Sequence, residues 1–406
     1  MGNFTMKTIS DFAHVLGICL VAAILGGCGG WQAASPPIER LTNLAPLHPL
    51  TSSGYKSLYS FKGGTDGQNP LSGLTRSHGA LYGTTTYGGA NNSGIVFDIN
   101  TSGEENVVHT FGGTGDGDDP LCTLLSVKGS LYGTTMLGGT GYHGTAFAIN
   151  KSGAESVLHS FSGPDGAVPW AGVIAMKGTV YGATTEGGSS NDGTVFALNA
   201  SGSETVLHNF TGDPDGAAPT APLIDLKGIL YGTTYAGGTG SACSAGCGTV
   251  YAIYPSGTER VLYSFKGKPD GAGPALGALI DVHDTLYGTT YSGGASDNGS
   301  VFKIAPSGAE RVIYSFKGYP DGAAPEQALL YSHGGLYGTT TDGGVNLVGT
   351  VFRVSRSGQE QLLYQFKGEP DGAFPETQLV EVRGVLYGTT NGGGTSNDGT
   401  IFQISR

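Results

Sequence analysis

A unit of about 50 residues recurs seven times from Leu58 to the end of the chain, and this repeat constrains the fold more than any other feature. Each copy has a phenylalanine that ends a short apolar run, a glycine in a Leu-Tyr-Gly-Thr-Thr motif, and an aromatic residue in a Gly-Thr-Val-Phe motif. The phenylalanines are Phe61, Phe111, Phe161, Phe210, Phe265, Phe316 and Phe366. The glycines are Gly83, Gly133, Gly182, Gly232, Gly288, Gly338 and Gly388. The aromatic residues are Phe97, Phe147, Phe196, Tyr251, Phe302, Phe352 and Phe402. A regular period of this size indicates supersecondary units that stack or surround an axis.

Each copy contains four short runs of β-branched and aromatic residues, separated by glycine or Asp-Gly turns. This is the pattern of strands joined by hairpins, and no window has a sustained helical period. Four strands per copy, repeated radially, is the plan of a β-propeller. We therefore predict an all-β, seven-bladed β-propeller of four-stranded blades over residues 55–406. A linear β-solenoid is the alternative, but such coils usually have shorter repeats and need capping units.

The copies begin and end out of step with the predicted blades. The repeat region starts on the run that ends at Phe61 and finishes on the run Ile401–Ile404. The last blade would therefore combine three C-terminal strands, from about Glu376 to Ile404, with an N-terminal strand, Ser57–Phe61. This arrangement predicts a ring closed between its two ends, which leaves no open sheet edge.

The motifs Gly-x-Leu-Tyr-Gly-Thr-Thr, Gly-Gly and Gly-Thr-Val-Phe resemble the GloVer tandem repeat of bacterial "choice-of-anchor" surface proteins. The resemblance covers nearly all of residues 55–406, with mild departures at Ala146 and Ala183. It implies export and surface anchoring, and it implies no particular activity. The unit resembles kelch blades more distantly, through the Gly-Gly after its second strand.

Residues 1–28 have the features of an export signal. Phe12–Leu25 is mostly apolar but short for a membrane span, and it follows a start that carries a single positive charge. Cys28 directly follows Leu25-Gly26-Gly27, as in a bacterial lipobox, which predicts a lipidated Cys28 and an anchor in the cell envelope or at the outer surface. An ordinary signal peptide and a secreted protein are the alternative. Residues 29–54 contain four prolines and no clear period, and we predict a flexible tether there.

Composition argues against one class of partner. The net charge is −12 and no cluster of lysines and arginines is present, whereas a nucleic-acid-binding domain usually has a basic face. We expect a monomer without a cofactor, in contact with a membrane only through its lipid anchor. The expected ligand is a glycan or another protein.

We label the four predicted strands of each blade A to D from the channel outward. Because successive strands run in opposite directions, the connections between them lie on two opposite faces. The A–B and C–D turns lie on one face, and the B–C and D–A loops lie on the other. The B–C loops vary most between copies, and they include Tyr142, His143 and Asn346. Loops on a rigid frame can vary freely, so we predict a ligand-binding site on this face, near the channel mouth.

The residue after each repeated proline also varies and begins the innermost strand. These residues are Leu71, Leu121, Trp170, Thr220, Ala275, Glu326 and Glu376. Trp170 offers a flat apolar surface for a sugar ring. Glu326 and Glu376, on adjacent blades, are suited to bind hydroxyls or a cation, or to act as acid and base in glycoside cleavage. The alternative is a tryptophan packed beneath a loop and two solvated glutamates.

Three further sets of residues fit structural roles. The repeated Asp-Gly turns are explained by turn chemistry, and we predict no metal site because one aspartate per blade does not supply the oxygens that calcium needs. His109, His159 and His208 occupy a strand position that is tyrosine in other copies. Cys243 and Cys247 share one loop and predict a local disulfide, while Cys122 is expected to be a buried free thiol.

Three functions remain open from the sequence. The first is a non-catalytic binding or interaction module at the cell surface. The second is an extracytoplasmic glycosidase or lyase that uses Glu326 and Glu376, and the third is a structural component of the envelope.

Overall fold

The structure is a computed structural model, and it describes residues 54–113, 115–199, 201–274 and 276–405. Within these residues the chain forms seven four-stranded antiparallel sheets, the blades of an all-β propeller, which confirms the predicted fold. The predicted signal, with Cys28, and nearly all of the predicted tether lie outside the described residues. No helix of the described part is long and apolar enough to cross a membrane.

The strands of blades 1 to 7 are labelled A to D in hydrogen-bonded order. Strands A are Thr75–Ser77, Leu125–Val127, Ile174–Met176, Ile224–Leu226, Ile280–Asp281, Leu330–Ser332 and Val380–Val382. Strands B are Ala80–Thr85, Ser130–Thr135, Thr179–Thr184, Ile229–Thr234, Leu286–Thr290, Gly335–Thr340 and Val385–Thr390. Strands C are Ile95–Ile99, Thr145–Ile149, Thr194–Leu198, Thr249–Ile253, Ser300–Ile304, Thr350–Ser355 and Thr400–Ser405. Strands D are Glu105–Thr110, Glu155–Ser160, Glu204–Asn209, Glu259–Ser264, Glu310–Ser315, Glu360–Gln365 and, in blade 7, Gly54–Ser60.

Short β-ladders link each D–A loop to the B–C loop of the next blade. In blades 2, 5, 6 and 7 they join Gly117–Asp118 to Leu137–Gly138, Gly271–Ala272 to Ser292–Gly293, Gly322–Ala323 to Asp342–Gly343, and Gly372–Ala373 to Gly392–Gly393. Single bridges replace them in blades 1, 3 and 4: Gln68 with Tyr87, Ala167 with Glu186, and Ala217 with Ala236. One 3₁₀ turn, Gly64–Asp66, is present in the first D–A loop.

The glycine of the Leu-Tyr-Gly-Thr-Thr motif makes room for an aromatic ring. Gly83 in strand B pairs with Phe97 in strand C, and a Cβ on Gly83 would lie 2.6 Å from Cζ of Phe97. The same register recurs in every blade, so the glycine of the Leu-Tyr-Gly-Thr-Thr motif and the aromatic residue of the Gly-Thr-Val-Phe motif are partners in one contact.

The phenylalanine that ends the apolar run of each copy joins neighbouring blades. Phe111 follows strand D of blade 1 and packs edge to face on Phe147 of blade 2, with ring centroids 5.1 Å apart. All seven junctions have this pair, and the phenylalanines that follow strands D are fully buried. Edge-to-face pairs contribute about 0.5–1.5 kcal/mol beyond their buried area, so the repeat places one such pair at each junction.

Blade 7 is assembled from both ends of the described chain. Gly54–Ser60 pairs antiparallel with Thr400–Ser405, and Tyr55 lies opposite Ile404. Phe61, which follows this strand, packs on Phe97 of blade 1. The predicted closure of the ring by an N-terminal strand is confirmed, and strand C of blade 7 therefore has no unpaired outer edge.

Candidate functional site on the loop face

We call the side of the propeller formed by the B–C and D–A loops the loop face. On this face, the residue before the proline of each D–A loop forms backbone hydrogen bonds to two B–C loops. At Phe374, the backbone N donates to the carbonyl of Val348 in the preceding blade, and the carbonyl accepts from the backbone N of Asn391, both at 2.9 Å. The equivalent two bonds form in every blade. They fix the position of the residue that follows each proline.

The residue before each proline has a positive φ, which glycine and asparagine tolerate best. In this chain the position is taken by Phe374, with φ 55°, and by Val168, with φ 54°. A bulky or β-branched residue in this region is an outlier, and such residues concentrate at functional sites. Phe374 is 38% exposed beside Leu347, which is 59% exposed, so apolar side chains project from the loop face at blades 6 and 7.

Glu326 and Glu376 lie in two neighbouring D–A loops, and each is only 6% exposed. Burial raises the pKa of Glu326 well above its usual value, and the charges of Glu376 and Asp342 add to this shift. Burial also raises the pKa of Glu376 to about 7, against a hydrogen bond from Asn391 and with a further contribution from Asp342. The alternative of two solvated glutamates is therefore wrong, since both carboxyl groups are enclosed. Both residues also precede strand A by several positions instead of beginning it.

Amide and phenol groups extend this pair around the face. Asn391 Nδ2 donates to Glu376 Oε1 at 3.4 Å, and Asn69 Nδ2 donates to Asn391 Oδ1 at 2.9 Å. On the other side, burial followed by the charges of Glu326, Asp342 and Glu376 raises the pKa of Tyr291. Burial, Tyr291 and Glu326 together raise the pKa of Tyr235 to about 12. We call this set the mouth arc; its members are Tyr235, Tyr291, Glu326, Asp342, Glu376, Asn391 and Asn69.

The other predicted binding residues lie at separate places on the loop face. Trp170 is partly exposed in blade 3, outside the mouth arc. The Tyr142 hydroxyl donates to Asp118 Oδ2 at 3.1 Å, and His143 lies near Glu186, where it opposes the rise in the pKa of that glutamate caused by burial. Asn346 Nδ2 donates to the carbonyl of Phe366 at 2.8 Å, which makes the side chain part of the loop scaffold.

The cysteines and Asp-Gly turns have structural surroundings. Cys243 and Cys247 are joined by a disulfide in the long B–C loop of blade 4. Cys122 is a buried free thiol three residues before strand A, and its Sγ accepts from Thr134 N at 3.1 Å. In a representative turn, Asp321 Oδ2 accepts from Lys317 N at 3.0 Å and from the Tyr314 hydroxyl at 2.8 Å.

The sequence of the repeat matches that of a known family. Residues 47–244 and 239–406 match the Gloeobacter/Verrucomicrobia repeat. The chain belongs to this family. Among curated proteins, none matches the chain.

Solved structures similar to this Gloeobacter/Verrucomicrobia repeat protein belong to diverse proteins. The BP39L lectin from Burkholderia pseudomallei is 11% identical, with a TM-score of 0.57, over 88% of this chain and 97% of the lectin. PorZ, a bacterial surface component of the type-IX secretion system of Porphyromonas gingivalis, is 14% identical, with a TM-score of 0.52, over 85% of this chain and 47% of PorZ. A europium-containing methanol dehydrogenase is 10% identical, with a TM-score of 0.51, over 89% of this chain and 95% of the enzyme. At these identities the likeness shows the propeller fold alone.

Sequence reasoning missed most of the mouth arc of this repeat protein, although a usable signal exists. The residue after each Leu-Tyr-Gly-Thr-Thr motif varies between copies, as does the residue after each proline. The position after the Leu-Tyr-Gly-Thr-Thr motif holds Thr86, Met136, Thr185, Tyr235, Tyr291, Thr341 and Asn391. Three members of the mouth arc therefore occupy a second non-repeating position inside an otherwise repeated motif.

Proposed function

We propose that this protein is a non-catalytic binding module at the cell surface, and that the mouth arc on its loop face binds a glycan. The observation that carries the proposal is the enclosed pair Glu326 and Glu376. Buried polar groups need hydrogen-bond partners, and a buried carboxyl group is especially costly without one. A ligand rich in hydroxyl groups supplies donors to an ionised carboxylate and acceptors to a protonated one.

The surroundings of the pair support a sugar ligand. Asn391 and Asn69 offer amide groups beside Glu376, and Tyr291 and Tyr235 offer hydroxyls on rings. Phe374 adds an exposed apolar surface of the kind that packs against the C–H face of a sugar ring. The lectin with a similar fold supports the view that a propeller of this kind can present a glycan site. A protein ligand that offers hydroxyl or amide groups to the same arc is the alternative.

The location at the cell surface forms part of the proposal. It is supported by the lipobox around Cys28 and by the resemblance of the repeat to those of bacterial surface proteins. With a lipid anchor at Cys28, the wild-type protein fractionates with membranes and the Cys28→Ser variant does not. Release of both forms into the medium would indicate a secreted protein instead.

A glycan array with the purified protein, followed by affinity measurement on the best ligand, tests the binding site. We expect the double variant Glu326→Gln/Glu376→Gln to lose at least about tenfold in affinity, since a hydrogen bond to a charged group is worth about 1.5–3 kcal/mol. Glutamine keeps the side-chain shape and removes the repulsion, so the fold should be retained. The matched control is Glu104→Gln, an exposed glutamate on the C–D turn of the opposite face, which should bind as wild type. Unchanged affinity in the double variant, or no glycan bound above background, contradicts the proposal.

A carbohydrate-active enzyme is the second candidate, favoured by the raised pKa values of the pair. Two neighbouring carboxyl groups of which one stays protonated near neutral pH are what acid–base cleavage of a glycoside requires. Release of reducing ends from the bound glycan, abolished by Glu376→Gln, would support this candidate. Tight binding of a glycan that remains intact rules it out.

A further inference from the structure

Three of the seven junctions between blades bring a histidine, an aspartate and a glutamate together. In the junction of blades 2 and 3, His159 lies in strand D, Asp165 lies in the following D–A loop, and Glu204 begins strand D of the next blade. The ligating atoms of these three side chains lie within 4.8 Å of one another. We call these three sets the histidine junctions: His109/Asp116/Glu155, His159/Asp165/Glu204 and His208/Asp215/Glu259.

The spacing of the donor atoms suits a tetrahedral metal ion. His159 Nε2 and His208 Nε2 each lie 3.0 Å from an aspartate Oδ2, and His109 Nε2 lies 3.6 Å from Asp116 Oδ2. Two ligands bound to one zinc ion at about 2.0–2.1 Å are about 3.3–3.4 Å apart in tetrahedral geometry. The observed separations lie on both sides of this value. Shifts of a few tenths of an ångström would bring each pair to it.

The glutamate of each histidine junction has a carboxylate oxygen without a hydrogen-bond partner. Oε1 of Glu155, of Glu204 and of Glu259 is buried and meets no donor among the described residues, as is also true of the corresponding glutamates at three tyrosine junctions, Glu105, Glu310 and Glu360. Burial and the neighbouring aspartate raise the pKa of all three glutamates to about 7. The half-buried aspartate and glutamate of each junction gain from a cation between them, because that cation contacts the unpartnered oxygens and offsets the repulsion between the two carboxylates.

The remaining junctions have tyrosine where the histidine would be. The Tyr263 hydroxyl donates to Asp270 Oδ2 at 2.9 Å, and burial raises the pKa of that tyrosine, so the phenol keeps its proton. The fold therefore needs only a donor to the aspartate at this position. A neutral imidazole has a lone pair on one ring nitrogen and is a metal ligand, whereas a protonated phenol is not. This difference separates the histidine junctions from the tyrosine junctions at Tyr59, Tyr263, Tyr314 and Tyr364.

We propose that each histidine junction binds one Zn²⁺ ion through the histidine Nε2 and the two carboxylates. One imidazole with two carboxylates is a donor set that zinc accepts, and water can complete its four ligands. The sequence predicts no metal because it shows one aspartate per turn. The glutamate that completes each site comes from the next blade, and only the structure brings it to the turn. The three ions would join four consecutive blades, 1 to 4.

Zinc stoichiometry tests the proposal, measured by elemental analysis after equilibrium dialysis of the purified full chain. We expect about three Zn²⁺ ions per chain, since each histidine junction supplies the three protein ligands of an open zinc site. The variant His159→Tyr should lose one ion, and His109→Tyr/His159→Tyr/His208→Tyr should lose all three. These variants should fold, because tyrosine already occupies the same position in the other junctions. An unchanged melting temperature in chelator checks this point.

Two matched variants sharpen the test. Tyr263→His builds a fourth histidine junction with Asp270 and Glu310 and should gain one ion. His283→Tyr replaces a histidine in an A–B turn outside the junctions and should leave the stoichiometry unchanged. Zinc should raise the melting temperature of the wild type and not that of the triple variant. Fewer than three ions on the wild type, or equal uptake by the triple variant, overturns the proposal.

Discussion

At the scale of single residues, the contact between Gly338 and Phe352 shows why the repeat keeps its glycine. A Cβ at Gly338 would lie 2.6 Å from Cζ of Phe352, inside a fully buried contact. We expect Gly338→Ala to lower the free energy of unfolding by about 1–3 kcal/mol, because overpacking a tight core displaces its neighbours. Chemical denaturation of variant and wild type measures the effect.

Gly113 provides the control for this substitution. A Cβ there would meet only the Asp116 side chain at ordinary contact distance, 3.7 Å, so Gly113→Ala should leave stability near that of the wild type. In a Phe352→Leu background the same Gly338→Ala change should cost less stability, since the smaller side chain leaves room for the added Cβ. Equal stability of Gly338→Ala and wild type would show that the ring does not require the glycine.

The residues of the candidate site could be predicted only in part. Glu326 and Glu376 stand out in the sequence because they break a sevenfold pattern, and the structure places them in neighbouring D–A loops. The burial of both residues and the contact of Glu376 with Asn391 could not be predicted, since they depend on how adjacent loops meet around the axis. The bond from Asn69 to Asn391 joins residues from the first and last repeats, and no local pattern encodes it.

At the scale of elements, strand D of blade 7 is the strand that closes the ring. Gly54–Ser60 supplies the outer strand of that blade, and Tyr55 stacks on Tyr364 of blade 6 with centroids 4.0 Å apart. Deleting residues 55–62 should lower the melting temperature sharply, because it exposes the edge of Thr400–Ser405 and removes Phe61 from its junction. Differential scanning calorimetry measures the shift.

A deletion of equal length within the predicted tether, residues 40–47, is the control and should leave the melting temperature unchanged. An unaltered transition after removal of residues 55–62 would show that the ring holds without its closing strand.

This closure was predictable from sequence, because the phase of the repeat leaves three strands at one end and one at the other. The short ladders between D–A and B–C loops were not predictable, since their two-residue strands are mostly glycine and carry no strand signal.

At the scale of the whole molecule, half-buried carboxyl pairs at the blade junctions link stability to pH. At the tyrosine junction of blades 4 and 5, burial and Asp270 raise the pKa of Glu310 to about 7, against the Tyr263 hydrogen bond and the charge of Lys266. The folded state therefore holds this proton more tightly than the unfolded chain does. The resulting stabilisation is complete below the unfolded pKa of about 4.5 and is lost as pH rises to about 7. Glu105 and Glu360, at two other tyrosine junctions, have pKa values raised to about 7 in the same way.

We expect the melting temperature of the wild type, measured in chelator, to fall between pH 5 and pH 7.5 more steeply than that of Glu310→Gln. Glutamine does not titrate, so its contribution stays constant across this range. Glu104→Gln, on an exposed turn, should follow the wild-type slope. Parallel curves for Glu310→Gln and wild type would mean that this glutamate ionises equally in the folded and unfolded states.

The register of the closing strand also shows on which face of the propeller that strand begins. Gly54 pairs with Ser405, at the end of the blade where the C–D turns lie, while Ser60 pairs with Thr400 next to the B–C loop. Strand D of blade 7 therefore begins on the face opposite the mouth arc. A bulky label placed at Gly54 would therefore stand on the other side of the propeller from Glu326 and Glu376.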